Sequence, residues 1–259
     1  MLSSYITATQ NLLQSPGAPT TLYSTANITT WVNTARGQLA GEYGCVRVIG
    51  TISTVAGQRN YSFSSLNIGT ASSTGIQGVI NIQTMQYGSG TGQQWLYPRS
   101  WPWFQLFYLN NTAPVQGPPA VWSQYGQGSS GQGSITGVGS GMIASGTFYV
   151  DPPPDNVYTL YCDCTAYPQA LVADTDVEAI PYLWTDAVPF FAAWYALLSS
   201  QTSARQADAD KMMERYREFA ERARMAANPD VMRPIYSKAK DPTVLSKLSQ
   251  QPKQGAAQQ

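Results

Sequence analysis

The 259-residue chain carries 15 Lys and Arg against 15 Asp and Glu, and no histidine. It is long enough to bury a sizeable core, has no net field to gather nucleic acid, and lacks the residue central to Ser-His triads, histidine general bases and most zinc sites. Charged residues make up only 12 % and aromatic residues another 12 %, against roughly 25 % charged in an ordinary domain, a balance suited to a surface largely covered by partners.

The opening Met1-Leu-Ser-Ser-Tyr5 lacks the basic and apolar regions of a secretory signal, so folding in the cytosol is expected. Leu2, Tyr5, Ile6, Thr9, Leu12 and Leu13 recur at helical spacing until Ser15-Pro16-Gly17 breaks the pattern. A second helix is expected with Ser24 as N-cap, because Ile28, Trp31, Val32, Ala35 and Leu39 form one apolar stripe; Gly41 and Gly44 should end it. From Val46 the period shortens. Val46–Val48, Tyr61–Phe63, Val79–Ile82, Ala120–Trp122 and Thr147–Val150 are short, β-branched or aromatic and separated by turn residues, which predicts an antiparallel β domain. Ser100-Trp-Pro-Trp-Phe104 should start a short helix over one end of the sheet. In the strand reaching Thr165, Tyr158, Leu160, Cys162 and Cys164 share one face.

Helix returns after Ile180-Pro181. Thr185 or Asp186 can cap, Pro189 falls in the first turn, and Phe190 to Leu198 is apolar on nearly every side. That run is too short for a bilayer, which needs about 20 residues, and should lie at the centre of a helical cluster with Trp31, Phe190, Phe191, Trp194 and Tyr216 as its core. Ala204 to Ala227 is amphipathic, with Met212, Tyr216, Phe219, Ala220, Ala223 and Ala227 along one face and the ion pairs Glu214–Arg217, Glu218–Arg222 and Glu221–Arg224 along the other. Asn228-Pro229 stops it. Beyond, Ile235, Tyr236, Val244, Leu245 and Leu248 are spaced apolar anchors in a polar, Pro-containing stretch, the composition of an arm disordered when free that docks on a partner. The expected fold is therefore α+β: a helical bundle formed by the N- and C-terminal segments (1–44 and 180–228), an inserted antiparallel β domain (45–179) and an extended C-terminal arm (229–259).

Candidate chemistry is sparse. Cys45, Cys162 and Cys164 cannot all pair within one chain, and Cys162-x-Cys164 has the wrong spacing for a redox or zinc motif, so small core residues with reduced thiols are expected. Asp174-Thr-Asp176-Val-Glu178 could chelate a hard cation, but such acids more often start a turn and favour the positive end of a following helix. Gly126-Gln-Gly128-Ser-Ser-Gly131 matches a dinucleotide fingerprint without a βαβ unit around it, and further glycines make it a loop. Trp95, Tyr97, Trp101, Trp103, Phe104, Phe107 and Tyr108 could stack on sugars or bases. The stretch from Tyr61 to Val150 holds a single charge, Arg99, so a nucleic-acid groove is disfavoured and a mixture of core and subunit interface is expected. No catalytic residue, cofactor site or metal site is assigned.

Several of these segments together resemble a known family. Leu2-x-x-Tyr5 with Gln10-x-Leu-Leu13, Trp31-Val-Asn-x-Ala35-Arg36-x-Gln38, and Gly44-Cys-Val-Arg47 leading into a strand are similar to the N-terminal part of the head-to-tail connector, or adaptor, proteins of tailed phages. The stretch Leu171-Val-Ala-Asp-Thr-Asp-Val-Glu-Ala-Ile-Pro181, then Asp186-Ala-Val-Pro189, Ala192-Ala193, Tyr216-Arg-Glu-Phe219 and Ala223-Arg224, looks like the same family's return into its helices. The resemblance implies a structural virion protein and not an enzyme, in a homo-oligomeric ring, usually a dodecamer, at the head-tail junction, assembled in the host cytoplasm. Its partners would be the portal protein, met by the C-terminal arm, and a tail or nozzle protein, met by the β domain; genomic DNA would pass through the channel without sequence-specific binding, and no membrane is involved. A tail-tube or tail-completion protein is the alternative, and a carbohydrate-binding tail module a more distant one.

Overall fold

The computed structural model describes residues 1–14, 23–88, 93–109, 114–126, 146–199 and 205–227. The chain starts with helix α1 (Leu2–Leu12) and helix α2 (Thr25–Tyr43). Ser24 caps α2 by accepting the Asn27 N–H at 3.3 Å, and the apolar stripe from Ile28 to Leu39 is buried. Gly41 lies inside this helix instead of ending it. Only Gly44 supplies the left-handed C-cap, with φ +58°, where the chain turns into the sheet.

Among the described residues seven strands follow with short helices between them: β1 (Arg47–Ser53), β2 (Asn60–Ser62), α3 (Ala71–Thr74), β3 (Ile76–Tyr87), β4 (Gln94–Pro98), α4 (Trp101–Phe104), β5 (Val121–Tyr125), β6 (Thr147–Asp151) and β7 (Thr159–Pro168). They form one curled sheet in the order β1-β7-β3-β4-β5-β6-β2. Its two ends approach each other: Thr51 of β1 and Asn67, just after β2, exchange backbone hydrogen bonds of 3.0 and 2.8 Å. The curl comes from β3, whose register against β7 shifts three times. Its inward residues Ile76, Val79, Ile82, Met85 and Tyr87 consequently step by three positions before returning to two. Each bulge adds a residue and increases local twist.

The sheet is not wholly antiparallel. β4 and β5 run parallel, with Tyr97 opposite Val121 and Pro98 opposite Trp122. Between them α4 and a π-helical turn (Gln105–Leu109) carry the chain back past the end of the sheet. A parallel pair needs such a crossover where an antiparallel pair needs only a tight turn. β4 is itself a strand that its aromatic content concealed.

After β7 come α5 (Tyr182–Thr185), α6 (Val188–Ser199) and α7 (Gln206–Ala227). Thr185 thus belongs to α5 and does not cap α6. α6 packs against α1, α2 and α7, and Ala192, Ala193 and Ala196 are fully buried there, since small residues let helices approach closely. Of the five residues expected to form the helical core, Trp31, Phe191 and Tyr216 are buried. Phe190 and Trp194 instead pack against that core from its edge. Phe190 stacks on Phe219 with ring centroids 5.0 Å apart. The helical core and the core inside the curled sheet meet at Val48 and Ile68, which pack against both.

Candidate functional site

The most elaborate polar arrangement joins the first helices to the segment that returns from the sheet. Arg36 lies one turn beyond Val32 on the apolar stripe of α2 and is wholly buried. Its Nη2 donates to Glu178 Oε1 at 2.7 Å and its Nε to Oε2 at 3.0 Å. Nη1 donates to the Gln169 carbonyl at 2.7 Å and to Asn33 Oδ1 at 3.0 Å. Asn33 holds Leu171 from both sides, donating to its carbonyl at 3.0 Å and accepting its N–H at 2.8 Å. Glu178 also accepts the Ile180 N–H at 2.8 Å. A charge taken fully out of water needs this many partners to be tolerated. The two sequence segments that carry the family resemblance thus clasp one another.

Close backbone approach completes the clasp. Gly75, at φ +66°, precedes β3, and a Cβ there would stand 2.4 Å from the Val177 carbonyl oxygen. Its own carbonyl accepts the Gln169 N–H at 2.6 Å. The hydroxyl of buried Tyr5 is driven far up in pKa, first by burial and then by the nearby Glu178 charge.

The three acids of the return segment serve three different partners. Asp174 accepts the Ser3 N–H at 2.7 Å, capping α1 from a distance, and that bond lowers its pKa. Asp176 accepts the Ala173 and Val172 N–H groups at 2.7 and 2.6 Å, which lower its pKa in turn. Glu178 faces Arg36. Among the described residues, no group of three or more His, Cys, Asp or Glu side chains is placed to hold a metal ion.

Cys162 and Cys164 point into the curled sheet and are fully buried, and Cys45 is half-buried; all three are free. Burial pushes the Cys162 thiol far up, and raises Cys164 and Cys45 to about 12. Such thiols are inert small core residues.

The aromatic cluster divides. Phe104 is buried, and Trp101 fits between Tyr125 and Tyr149 with centroids 4.7 and 4.9 Å away. Trp103 carries the Arg99 guanidinium 4.7 Å above its ring. Trp95 and Tyr97, on the outward face of β4, are 60 % and 67 % exposed, and Phe107 is 57 % exposed. Among the helices, α2, α6 and α7 leave a groove of about 750 Å³ whose mixed lining includes Trp194, Tyr195, Met213, Glu42 and Arg217. In its lining Glu42 accepts from Tyr216 at 2.7 Å and from Gln38 at 2.6 Å.

The arm anchors Ile235, Tyr236, Val244, Leu245 and Leu248 lie outside the described residues, as does the glycine-rich stretch from Gln127 to Ser145. Sequence reasoning missed the Arg36–Glu178 pair, although a signal existed: an arginine on an apolar stripe demands a buried acceptor. On α7, Glu218 pairs with Arg222 as expected and also with Arg215, and Glu221 pairs with Arg224 at 2.8 Å. Among the described residues no ion pair joins Glu214 to Arg217.

No helix among the described residues is long and apolar enough to cross a membrane. Comparison with curated proteins finds no match. The family model described as SU10 adaptor protein, in contrast, matches residues 2–237, so it spans both halves of the clasp and the sheet between them. By that match the chain belongs to the SU10 adaptor protein family, a family of structural phage proteins.

Proposed function

We propose that this protein is a head-to-tail adaptor whose copies form a ring, of twelve subunits, between the portal and the tail, with DNA passing through the channel and no catalysis at any site. The observation that carries the reading is the family match over residues 2–237. It is supported by a buried ion pair that ties α2 to the segment returning from the sheet and so can hold the inserted sheet at a set angle. In this reading residues 1–44 and 180–228 form one helical bundle, 45–179 the inserted β domain and 229–259 the arm. The exposed Trp95, Tyr97 and Phe107 suit contact with a tail or nozzle protein, since aromatic side chains dominate interface energetics. The arm's spaced anchors suit the portal, where their burial offsets the entropy lost in ordering the segment. The protein then resides in the virion, after assembly in the host cytoplasm.

The test is to mix the full chain, and a chain lacking Val231–Gln259, with purified portal and image the products by electron microscopy. Rings seated on portal with the full chain, and none with the shortened chain, are expected. Unchanged binding after the deletion refutes the role of the arm. Incorporation into tails without any portal binding selects a tail-tube or tail-completion protein instead.

A further inference from the structure

One charge of the sheet is left unpaired, and it sits among the exposed aromatics. Between Cys45 and Pro168 the sequence carries six charged side chains, Arg47, Arg59, Arg99, Asp151, Asp155 and Asp163. Arg47 pairs with Asp163, Arg59 pairs with Asp151 at 2.7 Å, and Asp155 accepts the Tyr158 hydroxyl at 2.7 Å. Arg99 is exposed, and among the described residues its guanidinium makes no ion pair and no hydrogen bond. Its contact is with the Trp103 ring, 4.7 Å away.

Position makes Arg99 the centre of an outward face. The Tyr97 and Arg99 N–H groups donate to the Ala120 and Trp122 carbonyls at 2.9 and 2.8 Å, so the ladder between β4 and β5 runs one residue past the end of β4. Side chains alternate along such a ladder, which puts Arg99 on the same side as Trp95 and Tyr97, away from buried Leu96. The three span roughly 13 Å of strand. The face continues into the crossover, because the Trp103 ring beneath the guanidinium meets Phe107 with centroids 4.9 Å apart. Trp95, Tyr97 and Phe107 are each more than half exposed.

What can cover this face follows from Arg99. Packing apolar groups onto its aromatics takes the guanidinium out of water, and a buried charge left without a partner is strongly destabilising. The occupant must therefore bring an anion. Contact with the Trp103 ring uses none of the N–H donors of Arg99, which stay free to grip a carboxylate through two parallel bonds. Nucleic acid and anionic lipid surfaces, in contrast, are held by several cations at once, and the other two arginines of the sheet are already paired with aspartates. Tryptophan, tyrosine and arginine are also the residues that dominate contact energies between proteins.

We infer that the face from Trp95 to Phe107 receives a protein segment carrying an Asp or Glu carboxylate flanked by apolar side chains. Arg99 grips the carboxylate, and Trp95 and Tyr97 take the apolar flanks. This rests on the reading of the same face as the contact for a tail or nozzle protein, and adds what that partner must present.

The experiment selects a random peptide library on the immobilised full chain and measures the enriched peptides against wild type, Arg99→Gln, Arg99→Lys and Trp95→Ala. Arg99 and Trp95 are exposed, so these variants keep the fold. Enriched peptides with an acidic residue beside an aromatic or aliphatic one are expected. They should bind Arg99→Gln about 5-fold more weakly, as loss of an exposed charge pair implies. Arg99→Lys should recover part of that loss, and Trp95→Ala should weaken binding as well. No enrichment, enriched peptides without an acid, or equal binding to Arg99→Gln overturns the inference. So does Arg99-dependent binding of phosphatidylglycerol vesicles or of a single-stranded oligonucleotide in place of such peptides. Neither portal nor tail is in the assay, so the adaptor reading stands or falls separately.

Discussion

Removing the carboxylate of Glu178 tests the clasp most directly. In Glu178→Ala the Arg36 guanidinium, with 1 % of its side chain exposed, keeps Asn33 Oδ1 and the Gln169 carbonyl but loses its paired anion, and the Ile180 N–H loses its acceptor. Breaking one side of a buried pair costs about 3–5 kcal/mol, and an unsatisfied buried donor about 1–3 kcal/mol. Because the two losses share one carboxylate they do not add fully, and we expect about 4–5 kcal/mol. For a chain of this size that lowers Tm by roughly 8–20 °C. Replacing both partners, Arg36→Met with Glu178→Met, removes the stranded charge and should recover at least about 2 kcal/mol relative to Glu178→Ala. Urea and thermal unfolding measure both, and hydrogen exchange should show Ile180 losing protection first. A cost below about 1 kcal/mol for Glu178→Ala, or a double variant no more stable than the single, refutes the reasoning.

Four further outcomes follow from the same structure. Gly75→Ala meets both a left-handed backbone and the Val177 carbonyl oxygen; a loss of about 2–4 kcal/mol in urea unfolding is expected, and a neutral result would place that oxygen elsewhere. Asp174 and Asp176 have pKa values lowered by the N–H groups they accept. Their contribution to stability is complete above the ordinary carboxylate value of about 3.9 and is lost as pH falls through their lower folded values. Asp174→Asn with Asp176→Asn should therefore flatten the decline of Tm on acidification. The three thiols should react with Ellman's reagent only slowly in the native protein and completely in guanidinium; rapid native reaction of Cys162 or Cys164 would contradict their burial. Trp95→Ala with Tyr97→Ala, on the exposed face of β4, should leave stability within about 0.5 kcal/mol while reducing assembly with the tail partner in a co-sedimentation assay.

Much of the site lay in plain view in the sequence but not its connections. Asn33, Arg36 and Glu178 all stood inside segments that resembled an adaptor, yet the 142 positions between Arg36 and Glu178 leave no local trace of their pairing. The acids of Asp174 to Glu178 alternate as a chelating loop would, but α1 takes Asp174, α2 takes Glu178, and Asp176 turns back on the N–H groups of Val172 and Ala173 in its own segment. Trp95-Leu-Tyr97 has one inward residue, Leu96, too little alternation to announce a strand among so many aromatics.

The helices, the Ser24 cap and the cysteine face depend on residues a few positions apart, where backbone torsions and side-chain periodicity act directly, so the sequence by itself determined them. The parallel pairing of β4 with β5, the three-residue inward step of β3, the clasp and the groove depend on which distant surfaces meet. Those meetings are selected by the burial of the whole chain at once, and only the tertiary structure decided them.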